Sequence, residues 1–291
     1  NIPVDYALRN ANVNLMKFPD CEEVLKQFNP SSYEGFKYNG GIYALPEQET
    51  FNLLFYRTDI MEQLGLEVPQ TWDDLIAILP TLQGNNLQVG LPYPSIQAPD
   101  MTAFYSMIFQ NGGRIYNDAG TKTEIDSEAG IAAFKLYTSF YNSYGLDTIF
   151  DFTSRFRSGE MPIGIANYSL YNTLAVAAPE IRGMWEFTHL PGTERTDENG
   201  NTYIDRSTGV GGMCCMMISK GSTDFVTADA LNTFYGDSSE EEKQALLKDR
   251  NKKVLRNIPR QADSWEFMKW WVSTDTQVRF GREMGAILGS S

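Results

Sequence analysis

The regular alternation of short apolar runs with amphipathic segments is the feature that most restricts how this chain can fold. The runs at 51–56 and 161–166 are apolar and have the length of buried strands. After the first of them, Leu75, Leu79 and Leu82 recur at the spacing of one helix face. Strands that alternate with helices predict an α/β fold.

Capping residues predict where several helices begin. Thr71 is followed three residues later by Asp74, which is the form of a capping box. Asp126 or Ser127 can likewise cap a helix that continues to Tyr141. Further helices are predicted at 101–110, 153–157, 168–177, 262–272 and 276–284.

Hairpins are predicted where turn residues separate short apolar runs. The first 40 residues are expected to be rich in loops. Between 36 and 46 the sequence predicts two strands joined at Asn39-Gly40. Pro46 has no N–H to donate and is expected to end that strand's pairing. Two more hairpins are predicted, at 114–125 and 194–205.

Composition excludes several classes of function. The 291 residues suffice for two domains or lobes, and their formal net charge of −13 disfavours nucleic acid and anionic membrane surfaces as partners, because both attract cations. His189 is the one histidine, which removes most histidine-based catalysis and metal sites. Cys21, Cys214 and Cys215 are expected to be free thiols. No cofactor, metal site or transmembrane helix is predicted.

Two motifs have an ordinary explanation beside a chemical one. Oxygen-bearing residues alternate from Asp197 to Asp205 as in a calcium loop, but the glycine is misplaced and a hairpin is favoured. The glycines at 209–212 precede a strand, so they are no dinucleotide fingerprint, although their backbone can approach a ligand.

Glu47 and Glu49 form the one pair of carboxylates that suggests catalysis. In an extended chain, residues i and i+2 point to the same side, so both can face one cleft. Three interpretations stay open: a solvated acidic loop, contacts to a ligand, or glycoside hydrolysis.

Aromatic residues collect near the predicted strand ends and helix starts. Sugar rings stack on aromatic faces, whereas each aromatic taken alone is better explained by core packing. As a group they suggest a ligand at the edge of an α/β fold. They are Tyr43, Phe51, Tyr93, Tyr105, Tyr168, Tyr171 and Trp185.

Several stretches in fixed order resemble the family 1 extracellular solute-binding proteins of ABC importers, which are maltose-binding-protein-like in layout. The Pro-Gln-Thr-Trp-Asp-Asp run at 69–74 and the Asn-Gly-Gly run at 111–113 are the more specific elements. The other matching stretches are 38–46, 54–59, 156–163, 191–192, 209–212 and 265–271.

The resemblance implies an α/β fold of the periplasmic-binding-protein-like kind (type II, Venus-flytrap), with ligand held between two lobes. Residues 1–50 would be part of the first lobe and 51–207 the second lobe. Residues 208–291 would return to the first lobe, with a helical insertion near 222–258. Because family members begin earlier and end later, the chain is expected to be a truncated fragment with one lobe nearly complete and the other partial.

The resemblance also implies which residues bind ligand, position by position. One set lies in the first crossing between lobes, a second at a helix start, a third at a strand-to-helix turn and a fourth at the glycine turn. Ser169 stands where the family has an aromatic residue, so Tyr168 or Tyr171 is expected to replace it. The four sets are Glu47, Gln48, Glu49 and Thr50; Asp100, Met101, Thr102 and Tyr105; Asn167, Tyr168, Ser169 and Tyr171; and Val210, Gly211 and Gly212.

The expected function is therefore extracellular binding of a solute, most simply a carbohydrate, for import by lobe closure and docking to an ABC permease. The longer protein to which this fragment belongs is expected to be anchored at the cell surface, with its signal and anchor outside this fragment. No enzymatic activity is expected. The alternatives are a secreted glycoside hydrolase that uses Glu47 and Glu49, and a sugar-sensing surface module without a transporter.

Overall fold

The computed structural model describes residues 2–92, 101–118, 120–208, 212–221 and 238–284. The chain divides into two compact units: Asn1–Glu49 with Met213–Ser291, and Thr50–Gly212. We call them the first and the second unit. None of the helices in the described ranges is both long and apolar enough to cross a bilayer.

The helices are α1 (Ile2–Leu8), α2 (Cys21–Leu25), α3 (Pro30–Glu34), α4 (Thr58–Leu64), α5 (Trp72–Gly84), α6 (Thr102–Gln110), α7 (Glu128–Asn142), α8 (Phe152–Ser158), α9 (Leu170–Ala177), α10 (Glu240–Val272) and α11 (Thr274–Met284). The strands are β1 (Lys37–Tyr38), β2 (Gly41–Ile42), β3 (Leu45–Thr50), β4 (Asn52–Arg57), β5 (Val89–Gly90), β6 (Ile163–Asn167), β7 (Trp185–Thr188), β8 (Thr193–Thr196), β9 (Thr202–Asp205) and β10 (Gly212–Met216). Single 3₁₀ turns occur at Leu15–Lys17 and Pro179–Ile181.

The second unit is built on a four-stranded sheet in the order β5-β6-β4-β7. β4 pairs antiparallel with both β6 and β7, and β5 pairs parallel with β6. Alternate residues of β4 enter two cores on opposite faces: Leu54 packs with α5, α6 and α7, whereas Leu53 and Phe55 pack with α8 and α9. The second unit therefore has helices on both faces of its sheet.

The predicted helix starts in the second unit are confirmed. The Thr71 hydroxyl accepts from the Asp74 N–H, and the Asp74 carboxylate accepts from the Thr71 N–H, which completes the capping box of α5. The Ser127 hydroxyl caps α7 by accepting from the Gly130 N–H at 3.2 Å. Both caps use donors within four residues, which is why the sequence predicts them.

In the first unit, the expectation for Pro46 is wrong. β3 runs from Leu45 through Pro46 to Thr50 and pairs with β10 in a two-stranded sheet. Among the described residues β10 is the partner of β3, which leaves one edge of the strand where a proline is tolerated because no ladder bond is lost there. The expected loops before residue 40 also contain three short helices, α1 to α3.

The separate helix predicted at 262–272 is instead the end of the 33-residue α10. A capping box of Ser239 and Glu242 starts the helix, which then continues through Pro259. Proline removes one N–H from the helix ladder. Leu255, whose carbonyl loses that partner, is exposed, so water can replace the missing donor. Of the helical insertion predicted near 222–258, residues 222–237 lie outside the described residues.

Of the two later hairpins, the one at 194–205 is confirmed and the one at 114–125 is not a regular hairpin. β8 and β9 pair in register from Thr193 opposite Asp205. The Asp197 carboxylate accepts from the N–H groups of Asn199 and Asn201, so the turn itself uses the oxygens that a calcium ion would need. At 114–125 the chain does fold back antiparallel, as predicted, over a short stretch. A bridge joins Tyr116 to Thr123, the Glu124 N–H donates to the Ile115 carbonyl at 2.9 Å, and the Asn117 side chain caps the turn.

A buried cation ties the end of β4 to α4 and α8. The Arg57 guanidinium donates Nε to Oδ1 and Nη2 to Oδ2 of Asp59, at 2.8 and 2.6 Å. Its Nη1 reaches the carbonyls of Phe156 and Arg157, both at 3.3 Å. The hydrogen bond from Arg57 holds the pKa of Asp59 below its ordinary value.

Asp59→Asn should lower the free energy of unfolding at neutral pH, because the buried Arg57 loses its counter-charge. The loss should be only about 1–2 kcal/mol, because Asp59 is partly exposed and solvent weakens the ion pair. A lowered folded-state pKa gives stability that is present above about pH 4 and is lost as the pH falls through that pKa. The difference between the two proteins, measured by urea unfolding, should therefore shrink in acid. Glu67→Gln, at an exposed position, is the control and should show no such difference.

Candidate functional site

The predicted strand-to-helix turn lies between β6 and α9 in the second unit. The Asn167 side chain accepts from the Ser169 N–H at 3.0 Å, which folds the chain back as soon as β6 ends. The Tyr168 N–H donates to the Phe51 carbonyl at 2.9 Å. Asn167 and Ser169 thus shape the turn, and the turn positions the rings of Tyr168 and Tyr171.

These two tyrosines belong to a larger aromatic cluster. Tyr168 and Tyr171 stack with ring centroids 5.9 Å apart and planes within 7°. The Phe187 ring lies edge-on to both, at 5.9 and 6.0 Å, and the Trp185 ring lies edge-on to Tyr171 at 5.9 Å. Edge-on and stacked pairs are the favoured ring geometries, so the cluster is well packed. We define the aromatic cluster as Phe51, Phe55, Tyr168, Tyr171, Trp185 and Phe187.

A groove of about 620 Å³ opens beside the cluster, between α9 and β7. Tyr171 and Phe187 are each 38% exposed, so parts of both rings are accessible to a ligand. The exposed Arg182 adds a cation to this lining, whereas the Glu186 carboxylate accepts from the Tyr56 hydroxyl at 3.2 Å, on the other face of the sheet from the Trp185 and Phe187 rings. The lining residues are Tyr171, Leu174, Ala175, Arg182, Gly183, Trp185, Glu186 and Phe187.

The groove combines the features of a small-molecule site. Ligand pockets are mainly apolar or aromatic, with a few polar groups that orient the ligand. Here the ring faces offer stacking area, and Arg182 offers a donor for hydroxyl groups. A polar molecule with an apolar face matches this lining.

The sequence predicts part of this groove. Tyr171 and Trp185 are among the aromatic residues expected at strand ends and helix starts, whereas Arg182, Glu186 and Phe187 are missed. Phe187 had a usable signal, because it lies two residues after Trp185 and shares its face of a strand. No local signal marks Arg182 or Glu186.

The residues predicted at the start of α6 do not line this groove. Thr102 is buried, and its carbonyl accepts from the Ser106 hydroxyl at 2.8 Å. Tyr105 is half-buried and packs against the core on the other face of the sheet. Met101 is the capping position of α6, and Asp100 lies outside the described residues.

The predicted crossing residues are described only in part. Glu47 is half-buried in the first unit, where its Oε1 accepts from the Trp271 indole N–H at 2.9 Å. Gln48 is also half-buried. The side chains of Glu49 and Thr50 lie outside the described part of the structure, as do Val210 and Gly211. Gly212 begins β10.

Beside Glu47, the half-buried Cys215 has a raised pKa. Burial is the main cause, and the charges of Cys214 and Glu47 add to it. A raised pKa keeps this thiol protonated and weakly nucleophilic at neutral pH. Across the described residues, no group of three or more His, Cys, Asp or Glu side chains is arranged to hold a metal ion.

Comparison with known proteins gives a consistent result. The family model described as bacterial extracellular solute-binding protein matches residues 5–251. A binding protein of Brucella abortus (strain 2308) is 27% identical over 157 residues, which is 50% of this chain and 37% of that protein. This chain therefore spans well under half of its curated relative.

Solved structures share the fold at low identity. An ABC transporter solute-binding protein from Thermotoga lettingae, bound with α-D-tagatose, has a TM-score of 0.68 and 18% identity over 98% of this chain and 64% of its own. MalE3 of T. maritima, bound to maltose, has a TM-score of 0.66 and 20% identity over 99% and 64%. The GacH receptor of Streptomyces glaucescens has a TM-score of 0.67 and 17% identity over 99% and 63%. At these identities the likeness concerns the fold.

Proposed function

This chain belongs to the family of bacterial extracellular solute-binding proteins, and from that premise we propose that it binds a carbohydrate outside the cell for uptake by an ABC importer. Its mixed α/β fold is that of the periplasmic solute-binding proteins, as the sequence predicted. The family and the structural neighbours are binding proteins of transporters. The proposal also includes a permease partner, and a cell-surface anchor on the longer protein to which this chain belongs.

The observation that carries the sugar assignment is the groove beside the aromatic cluster. A pyranose or furanose ring has an apolar C–H face, which suits the accessible parts of Tyr171 and Phe187. Its hydroxyl groups both donate and accept, so the Arg182 guanidinium on the rim can donate to one of them.

The neighbours add support of a general kind. Two of the solved structures named above hold tagatose and maltose. A further neighbour from Mycobacterium tuberculosis, with a TM-score of 0.64 and 17% identity, was solved with glycerophosphocholine. Glycerophosphocholine is not a sugar, so the choice of a carbohydrate as the class of ligand rests on the groove, and the individual sugar is left to experiment.

The remaining predicted contacts stay part of the proposal. Closure of two lobes on the ligand is the mechanism that the family resemblance implies. The residues proposed to meet the ligand in addition to Tyr168 and Tyr171 are Glu47, Gln48, Glu49, Thr50, Asp100, Thr102, Tyr105, Asn167, Ser169, Val210, Gly211 and Gly212. The hydrogen bond from Trp271 already engages one oxygen of Glu47, which favours a positioning role over acid–base catalysis.

Tyr171→Ala should weaken sugar binding at least tenfold, because it removes a stacking face from the groove; ring stacking and its buried area contribute about 1–2 kcal/mol. Isothermal titration of this chain with maltose, tagatose and longer oligosaccharides measures the effect. Tyr116→Ala removes an exposed tyrosine that does not line the groove and should bind like the parent. Tyr171→Phe keeps the ring and should lose little.

Two results would contradict the proposal. Equal affinity of the parent and Tyr171→Ala for a bound sugar would remove the groove from the site. Release of new reducing ends from oligosaccharides, with sustained turnover, would favour the glycoside hydrolase alternative. A circular dichroism spectrum of each variant checks that it is folded.

A further inference from the structure

The charges of this acidic protein are strongly segregated on α10. Residues 243–260 contain seven Lys or Arg residues and a single acid, Asp249, which is a local net charge of +6. Since the whole chain carries −13, the remaining residues carry −19. The average charge therefore hides one strongly basic segment.

Four of these cations follow one side of the helix. They are separated by four residues each, which is about one turn, so they form a stripe about 18 Å long. All four are exposed, whereas Val254 on the opposite side is buried against the first unit. We call Lys248, Lys252, Arg256 and Arg260 the basic stripe.

Most of the stripe is not neutralised by the protein itself. Two ion pairs of this segment join Lys243 to Glu240 at 3.2 Å and Lys253 to Asp249 at 2.7 Å. Asp249 is also close enough to Lys252 for that charge to lower its pKa. Within the described ranges no carboxylate pairs with Lys248, Arg256 or Arg260. Their charges are available to an external anion.

Exposed apolar side chains lie beside the stripe. Leu255 is 63% exposed and Ile258 is 49% exposed, and both lie on the flank of the helix next to Lys248 and Lys252. A helix that presents cations together with aliphatic side chains is suited to the headgroup region of a bilayer. There the cations meet phosphate groups, and the apolar residues reach the acyl boundary.

We propose that the basic stripe docks the protein onto anionic phospholipid headgroups, with Leu255 and Ile258 entering the interface. The negative charge of the remaining chain repels such a surface, which favours an approach by this face of α10. The expectation that the protein avoids anionic membranes rests on the average charge, which residues 243–260 do not share. The inference goes beyond solute binding and does not depend on the groove.

Four charges in one row along a helix favour a lipid surface over a protein partner. Recognition of a protein requires a complementary relief, whereas a bilayer presents a plane of mobile phosphates that a linear stripe can follow. Contacts of this kind are weak and sensitive to salt, because at 0.1 M ionic strength exposed charges attract one another over only about 10 Å before salt screens them. Reversible attachment is therefore expected.

Co-sedimentation of the full chain with vesicles tests the proposal. The parent should bind vesicles of phosphatidylglycerol mixed with phosphatidylcholine at about 50 mM salt, and should bind at least tenfold less at about 500 mM salt or to phosphatidylcholine alone. Lys248→Gln/Lys252→Gln/Arg256→Gln should reduce binding at least tenfold. Lys26→Gln/Lys122→Gln/Lys135→Gln removes the same charge from other exposed positions and should stay within twofold of the parent.

Several outcomes would overturn it. The parent protein failing to bind the anionic vesicles is one, and equal binding by the two triple variants is another. A concentration-dependent dimer in sedimentation velocity that only the stripe variant loses would assign the stripe to a second copy of the chain instead. Sugar titrations of the same variants separate this result from the proposed function, since the stripe variants should keep the parent's affinity.

Discussion

Trp72→Ala should lower the free energy of unfolding of the second unit by about 3–5 kcal/mol, which is the range for truncating a large buried aromatic. Trp72 is 2% exposed, and its ring lies edge-on to Phe140 with centroids 6.1 Å apart. Its indole N–H also donates to Gln110 Oε1 at 2.7 Å. The substitution would therefore leave a cavity and remove a buried hydrogen bond together.

Gln110 connects that hydrogen bond to the chain that follows β7. Its amide donates to the Pro191 carbonyl at 3.1 Å, and its Oε1 also accepts from the Thr193 hydroxyl at 3.2 Å. Trp72→Phe keeps most of the ring and leaves Thr193 bonded to Gln110, so it should cost only about 1–2 kcal/mol. Chemical unfolding followed by circular dichroism measures both variants. A loss under about 1 kcal/mol for Trp72→Ala would contradict this account of the core.

Gly130→Ala should destabilise the protein by about 3 kcal/mol, at the upper end for overpacking. A Cβ at this position would lie 1.9 Å from the Ile125 carbonyl oxygen, so the backbone before α7 has to move. Movement there also disturbs the bond from the Gly130 N–H to the Ser127 hydroxyl that caps the helix. The start of α7 requires glycine for space, since its φ is not in the left-handed region.

Gly84→Ala is the matched control for Gly130→Ala. Gly84 is the last residue of α5, and a Cβ added to it would meet no atom within 4 Å. Alanine favours a helix over glycine by up to about 1 kcal/mol, so this variant should be as stable as the parent or more so. Both are compared by thermal and urea unfolding. Equal losses for the two glycines would show that the Ile125 contact is not the cause.

Features that depend on neighbouring residues were the ones that the sequence predicted well. The caps at Thr71 and Ser127 satisfy N–H groups within the same helix, and the turn at 197–201 is closed by Asp197. The family assignment also came from local runs, whose order along the chain was specific enough to identify the fold. The match over 5–251 confirms that assignment.

Features that depend on distant pairing were predicted less well. Nothing near Pro46 indicates that the strand continues past it, because its partner β10 comes from a distant part of the sequence. The same limit applies to the groove. Trp185 and Phe187 reach it because β7 pairs with β4, with Phe187 opposite Phe55. That register is set by strands more than a hundred residues apart.

The candidate site illustrates both situations. Tyr168 and Tyr171 follow a strand directly, so a strand-to-helix turn with aromatic residues was readable from the sequence. Their partners Trp185 and Phe187 come from β7, and the packing of these rings on the tyrosines could not be predicted from the sequence. The other predicted ligand contacts stay predictions.

The order of the two units along the chain has a consequence for biosynthesis. The second unit is one continuous stretch, Thr50–Gly212, whereas the first unit needs both Asn1–Glu49 and Met213–Ser291. A ribosome therefore releases every residue of the second unit before the first unit has all of its parts. The unit that carries the aromatic groove can fold during translation, while the early residues of the first unit stay without β10 and α10 until these emerge. A chain truncated after residue 212 is thus expected to hold a folded second unit and an unfinished first one.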